Sequence, residues 1–283
     1  MKILVTGVNG QLGHDVIAHL QARGVACKGV DIQDFDLTDA QQVMQAVKAY
    51  APTAIVHCAA YTAVDRAEEE KEKAYAVNVL GTRHMAQAAQ AVDAGLMYIS
   101  TDYVFDGKGD TPFEVDDPKG PKSIYGATKL QGEEEVQKLL KKYFIVRTSW
   151  VFGLNGHNFI KTMLRLGREG KHPSVVDDQI GSPTYTWDLA RLLCDMIVTD
   201  KYGVYHATNE NLCSWYEFAC AIFQTAGMTD IQVTPVSTAA YGAKAARPLN
   251  SRLSKASLDR AGFDRLPIWQ DALARYIHDL VQA

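Results

Sequence analysis

The stretch KILVTGVNGQLGHDV, residues 2–16, passes from a β-branched apolar run into glycines at positions 7, 10 and 13. The run Ile3 to Thr6 has the length and continuity of a buried parallel strand. From Gln11 to Arg23, Leu12, Val16, Ile17 and Leu20 fall on one face of a helix. Gly7, Gly10 and Gly13 therefore sit where a strand turns into a helix. Glycines there let the backbone turn tightly and approach a pyrophosphate, which then meets the free N–H groups of the helix start. Three glycines alone are a weak signal, and their place in a βαβ unit makes it specific. Asp31 closes the next strand, where a carboxylate can accept hydrogen bonds from both hydroxyls of a ribose.

Working outward, Val25 to Asp31, Ala54 to Cys58, Leu96 to Ser100 and Phe144 to Thr148 also read as strands, with helical patterns between them such as the alanine-rich Lys73 to Val92. Repeated βαβ units predict an α/β fold with a doubly wound parallel sheet. Beyond Trp150 the pattern loosens into helices and short strands, including Asn158 to Arg168, Thr186 to Val198, Ser214 to Ala226, Ile231 to Val236 and Pro267 to Val281. The expected organisation is a dinucleotide-binding domain over residues 1–150 and, over 151–283, mainly a smaller α/β substrate-binding cap with some segments returning to the first domain.

Composition narrows the partners. A net charge of −4 and no basic run longer than a pair give no surface for nucleic acid or an anionic membrane. The first apolar run is too short for a signal peptide, and no run approaches membrane-spanning length. Five cysteines without a CxxC pair fit a reducing cytoplasm, and eight histidines without ligand spacing argue against zinc. A cytoplasmic protein is expected.

The segment SIYGATKLQGEEE, residues 123–135, places Tyr125 four positions ahead of Lys129 at the start of a helix. Their Cβ atoms would lie about 5–6 Å apart on one face. An adjacent ammonium and the positive end of the helix dipole are expected to favour the phenolate, so that the pair can exchange a proton with a carbonyl or alcohol. The same spacing also serves simply to cover an apolar stem. STDYVFDG, residues 100–107, follows a strand end, where doubly wound sheets bind ligands, and a hydroxyl of Thr101, or of Ser100, could hold the carbonyl there. Residues 106–123, dense in Gly, Pro and Asp, read as a long active-site loop.

The GxxGxxG and YxxxK spacings together resemble the extended short-chain dehydrogenase/reductase superfamily, with its Rossmann sheet. The resemblance implies that Asp36 and Leu37 flank the adenine, that Ala59 and Ala60 let the chain pass the cofactor, and that Lys129 also grips the nicotinamide ribose. Asn9, Gln11, Leu12 and Tyr61 join the glycines, Asp31, Tyr125 and Lys129 as cofactor positions, and Thr101 completes the catalytic set. More narrowly, AAYTAVDRAE, STDYVFDG, YGATKLQGE, VRTSWVFG, HNFIKTMLRL, DDQIGSPT and ARPLNSRL resemble signatures of the dTDP-4-dehydrorhamnose reductases. That family implies NADH or NADPH as cofactor, a dTDP-sugar as partner, and reduction of the C4 carbonyl of dTDP-4-dehydro-L-rhamnose. Thr62, Val64, Thr101, Asp102, Tyr103 and Trp150 would contact the sugar, while Arg247 and Asn250, with Arg252 beside them, would suit the nucleotide diphosphate.

Related 4,6-dehydratases follow the Thr-Asp pair with a Glu base; this chain has Tyr103, which suits reduction rather than elimination. Trp150 and ARPLNSRL argue against a second relative, the regulatory subunit of methionine adenosyltransferase. An epimerase or another reductase, an NADP-binding regulatory subunit and a sugar-nucleotide binder without turnover stay open as alternatives. Where relatives pair through magnesium held by acids, Asp15 matches one acid but Trp187 replaces another. No required metal is expected, and a homodimer is left open. No Lys or Arg follows Asp31 through Phe35, and Lys28, inside the strand, is expected to point elsewhere, so NADH should serve at least as well as NADPH.

Overall fold

Side chains alternate along each central strand, and both faces of the sheet are covered. In the computed structural model, which describes residues 1–282, β1 (Lys2–Thr6) sends Ile3 and Val5 into one apolar core and Leu4 into another. Residue 283, the last of the expected cap, lies outside the described residues. The chain continues through α1 (Gln11–Ala22), β2 (Ala26–Val30), α2 (Ala40–Tyr50), β3 (Ala54–His57), α3 (Val64–Ala67), α4 (Lys71–Tyr75), α5 (Thr82–Ala91), β4 (Gly95–Thr101), α6 (Ile124–Leu139) and β5 (Tyr143–Thr148). There follow β6 (Val151–Phe152), α7 (Phe159–Arg168), β7 (Ser174–Val176), β8 (Ile180–Gly181), β9 (Thr184–Tyr185), α8 (Thr186–Ile197), β10 (Gly203–His206), β11 (Cys213–Ser214), α9 (Trp215–Thr225), β12 (Thr234–Val236), α10 (Thr238–Tyr241), α11 (Ala256–Ala261) and α12 (Trp269–Gln282).

The main sheet is parallel, in the order β10-β5-β4-β3-β1-β2. This is the doubly wound α/β class that the strand pattern predicts, and each of the five expected strands forms within one residue of its expected ends. One face is packed by α1 and α8 through Leu12, Val16, Leu20, Leu189 and Leu193. The other carries α2, α5 and α6 through Val43, Met85 and Val136. A third core gathers α7, α9 and α12 around Phe152, Tyr185, Phe218 and Tyr276. The order reverses at β1, between β2 and β3, so a crevice opens above the C-terminal ends of these strands.

The helix expected over 73–92 is broken. Residues Ala76–Gly81 form a π turn between α4 and α5. There Asn78 gives up regular pairing: its carbonyl accepts from the Thr82 hydroxyl at 2.8 Å, and its amide clasps both the N–H and the C=O of Tyr61. The break thus anchors the loop after β3. Alanine content marks helix propensity but carries no sign of this side-chain work.

Glu133 of α6 and Arg147 of β5 meet behind the crevice with side chains 2% and 3% exposed, at 2.7 Å. Arg147→Met would strand Glu133 without its partner and is expected to cost about 3–5 kcal/mol in urea denaturation, part of which Glu133→Gln in the same chain should recover. A loss under about 1 kcal/mol would show that Lys119, which lies near both, supplies the charge instead.

Candidate active site

The crevice is a cavity of about 790 Å³ that runs from the end of β2 to the ends of β4 and β5. At the β1 end the backbone itself forms the wall. Gly7 has φ +72°, and a Cβ on it would come within 2.7 Å of the Ala59 nitrogen. A Cβ on Gly13 would lie 2.3 Å from the Gly7 oxygen, so only glycine lets α1 start this close to β1. Gly10 caps α1 without a side-chain hydrogen bond, and the first turn holds no acid. The first N–H groups are thus left to an anion, which is what a dinucleotide's pyrophosphate requires.

Next to this turn, Asp31 accepts from the Asn9 N–H at 2.9 Å and from the Ile32 N–H at 2.8 Å, which brings its carboxylate onto the glycine loop. Asp36 and Leu37 line the same end of the cavity with Ile32 and Phe35. Lys28 points away, over the ring of Tyr50 at 6.0 Å. Asn9, Gln11, Leu12, Ala59 and Ala60 line the cavity too. Gln11 also reaches across, accepting from the Gly153 N–H at 2.8 Å.

At the far end Thr101, Asp102, Tyr103, Tyr125, Lys129, Thr62, Val64 and Trp150 come together on the wall. Ser123 caps α6 by accepting from the Gly126 N–H at 3.1 Å, so Tyr125 stands in the first turn and Lys129 one turn on. Glycine at 126 and 132 lets α6 press against the strand layer: a Cβ at either place would lie 2.3 Å from Tyr103 O or Tyr98 Oη. The Tyr125 and Tyr103 rings meet edge to face with centroids 5.5 Å apart. Trp150 holds a left-handed φ of +51° and stacks on Trp215 at 3.9 Å. A bulky residue in that region is strained, and strain of this kind gathers at working sites.

Electrostatically the site is governed by burial. Lys129, 2% exposed, has its pKa pushed down to about 7 by desolvation, with Glu133 and Cys58 acting the other way. Its ammonium lies 3.9 Å from the Tyr98 ring centroid. Burial raises the Tyr125 phenol above its ordinary value, against a smaller downward pull from Thr101. Burial thus works against the expected phenolate and holds Tyr125 toward its neutral form. Asp102, also 2% exposed, is pushed up to about 6 by burial, although Ser251 and Thr101 donate to it.

Three expected positions stand apart from this cavity. The Tyr61 hydroxyl donates to Glu70 at 2.9 Å. Asn250 is 1% exposed, and its amide nitrogen donates to the carbonyls of Lys108 and Thr111, pinning the long loop. Arg247 forms a fork with Asp65 at 2.7 and 3.0 Å, beside a small separate cavity. Asp15 is taken up between α1 and α8, accepting from Thr186 at 2.5 Å, and Trp187 is exposed. No group of three His, Cys, Asp or Glu side chains is poised for a metal among the described residues, and no described helix is long and apolar enough to cross a membrane.

Sequence reasoning missed Cys58, Thr148, Ser149, His157, Phe159 and Trp215 in the lining. Thr148 and Ser149 had a signal, since Thr148 ends β5 beside Thr101 and Ser149 follows it. Trp215 had none, because its place follows from how α9 packs.

Known proteins resemble this chain over nearly its whole length. The RmlD substrate binding domain family matches residues 1–282. The spore coat polysaccharide biosynthesis protein SpsK of Bacillus subtilis is 41% identical over 98% of this chain and 97% of its own. A dTDP-4-dehydrorhamnose reductase of Streptomyces griseus is 41% identical over 95% of this chain and 91% of its own. The crystal structure of a dTDP-4-dehydrorhamnose reductase from Bacillus anthracis in complex with NADP is 46% identical, covers 99% of this chain and 100% of that one, and has a TM-score of 0.95.

The Asp31 end of the cavity makes a prediction about cofactor choice. Asp31 and Asp36 line it with no Lys or Arg beside them. A ribose phosphate about 4 Å from one carboxylate would be repelled by roughly 4 kcal/mol at an effective dielectric of about 20, reduced by solvent to about one or two. That is about tenfold in affinity. Fluorescence titration should find NADH bound at least as tightly as NADPH, with Asp31→Ala shifting the ratio toward NADPH. A wild-type preference for NADPH above about tenfold would sink this reading of Asp31.

Proposed function

The chain belongs to the dTDP-4-dehydrorhamnose reductase family, and from that premise we propose that it reduces the C4 carbonyl of dTDP-4-dehydro-L-rhamnose to give dTDP-L-rhamnose. The observation that carries this is the convergence of Tyr125, Thr101 and Lys129 on one cavity with the Gly7–Gly13 turn, and with Tyr103 in place of a carboxylate base. The chain is an NAD(P)H-dependent oxidoreductase; the bound nicotinamide supplies the reducing equivalent for the carbonyl carbon.

The protein's own residues do the rest. The α1 N-terminus and the glycine turn hold the pyrophosphate, and Asp31 holds a ribose. Tyr125, whose phenol desolvation holds toward the neutral form, donates its proton to the developing alkoxide. Thr101 gives a hydrogen bond to the same oxygen, and Lys129 supplies a positive field and orients the nicotinamide ribose. Thr62, Val64 and the strained Trp150 shape the sugar pocket. We assign the reaction to the cytoplasm and to synthesis of a rhamnose-containing surface polysaccharide, a reading supported by the SpsK likeness. A homodimer is compatible with it and is tested by light scattering.

The decisive assay follows NADH or NADPH absorbance with enzymatically prepared dTDP-4-dehydro-L-rhamnose. Tyr125→Phe is expected to lower kcat by about 10² to 10⁴-fold while cofactor affinity is kept. Near wild-type turnover by that variant would remove Tyr125 from the reaction. Lys129→Met should weaken turnover and cofactor binding together, because one side chain serves both; a change in stability alone would reduce Lys129 to a packing residue.

A further inference from the structure

Trp150 lies between β5 and β6 with a left-handed φ of +51°, a conformation that a bulky residue keeps only where its surroundings over-determine it. The backbone supplies one hold, since the Trp150 carbonyl accepts from the Thr184 N–H at 3.1 Å. The indole supplies the others. It stacks on Trp215 with ring centroids 3.9 Å apart and an interplanar angle of 17°. It also lies against Gly181, where an added Cβ would come within 2.9 Å of its Cε2 and 3.0 Å of its Cζ2. Gly181 has no left-handed φ of its own, so its lack of a side chain serves the indole rather than the backbone.

Trp215 is fixed in turn by the second half of the chain. It opens α9, where Ser214 Oγ accepts from the Glu217 N–H at 3.0 Å and Glu217 accepts from the Ser214 N–H at 2.7 Å, a complete capping box. The Ser214 hydroxyl donates onward to Asp177 at 2.6 Å. Cys213 pairs with Gly181 and Ser214 with Ile180 between β11 and β8, so the register that places Trp215 also places the glycine that the indole needs. Phe159, the first residue of α7, packs on the Trp215 ring at 4.7 Å.

We propose that Trp215 is a positioning residue for the sugar, acting through Trp150: the stack holds the strained indole as the wall against which the sugar presents its C4 carbonyl to Tyr125 and Thr101. This rests on the role given to Trp150 in the proposed function. Both indoles line the cavity. Without its partner, Trp150 would lose the packing that offsets its backbone strain, and the wall would relax out of place. The contact is made to the sugar rather than to the reacting atoms, so its loss falls on KM more than on kcat.

The test compares wild type, Trp215→Ala, Trp150→Ala and the double variant by kinetics with dTDP-4-dehydro-L-rhamnose and by calorimetric titration of dTDP-L-rhamnose with oxidised cofactor present. Trp215→Ala should raise KM and weaken dTDP-L-rhamnose binding by about five- to tenfold, the worth of one aromatic pair, while NADH affinity is kept. Its kcat should stay within about threefold of wild type. Unchanged KM and affinity overturn the proposal; a merely structural role would lower stability and the folded fraction, and so kcat, with KM in place. In the Trp150→Ala background, Trp215→Ala should add less than about twofold, because the residue it acts through is gone. Additive losses overturn the proposal and make Trp215 an independent contact. Should Trp215→Ala not fold, Trp215→Phe and Trp215→Leu decide. Both fill the apolar site and only the phenyl ring stacks, so KM should stay within about twofold of wild type in the first and rise in the second. Equal KM values in the two overturn the proposal. The stack is also read without sugar, from the exciton couplet that two stacked indoles give in circular dichroism, which should vanish when either indole is replaced. A wild type that shows the couplet but neither binds nor reduces the sugar sinks the proposed function, whereas a working enzyme without the couplet sinks this inference alone.

Discussion

The ion pair between Arg147 and Glu133 is the contact on which the geometry of the site depends. Both Arg147 Nε and Nη2 donate to the Glu133 carboxylate, at 2.9 and 2.7 Å, Ser100 Oγ donates to it at 2.5 Å, and Arg147 Nη1 donates to Val115 O at 2.9 Å. Each partner adjoins a residue of the site. Ser100 precedes Thr101, Arg147 precedes Thr148, and Glu133 lies one helical turn beyond Lys129. The network therefore sets α6 against the ends of β4 and β5 and ties the long loop to both. A buried pair gains little net stability over apolar packing, because desolvation offsets the attraction. Here its return is orientation: forked, hydrogen-bonded geometry admits few alternatives, whereas apolar side chains would let the helix slide.

Burial is the second constraint, and it acts on every titratable group in the same sense, toward the neutral form. Lys129 falls, Tyr125 rises and Asp102 rises. Burial thus brings the pKa values of Lys129 and Asp102 toward each other and moves that of the Tyr125 phenol away from both. Glu133 opposes the fall of Lys129, so the network that positions α6 also tempers the charge at its centre. One carboxylate in this way serves both structure and chemistry.

Much of the sheet was legible along the chain. Runs such as Ile3 to Thr6 and Ala54 to Cys58 are buried on both faces and so announce themselves as continuous apolar segments. The π turn over Ala76–Gly81 was not legible, since it depends on Asn78 meeting Tyr61 and Thr128 from other elements. The same holds for β10, which joins the sheet beside β5 although it lies some sixty residues later in the chain. Within the site, the positions on the strand ends and on α6 came from local spacing. The second-half positions divided: Trp150 lines the cavity, whereas Arg247 and Asn250 turn to Asp65 and to loop carbonyls.

By itself the sequence determined the glycine turn, the Asp31 carboxylate at the next strand end and the Tyr125–Lys129 spacing, because each is a local matter of backbone freedom or helical period. Only the tertiary structure decided in which direction burial moves the pKa values of Tyr125 and Lys129. Spacing suggested that the Lys129 ammonium would favour the Tyr125 phenolate; packing of α6 onto β4 buries Lys129 and half-buries Tyr125, and desolvation then works toward the neutral form of each. It also decided that Ser251, some 150 residues from Asp102, supplies that carboxyl's hydrogen bond. Distance in the chain carries no information about such a contact, since it forms only when the extended segment is held between β8 and the loop by backbone hydrogen bonds that any residue types could make.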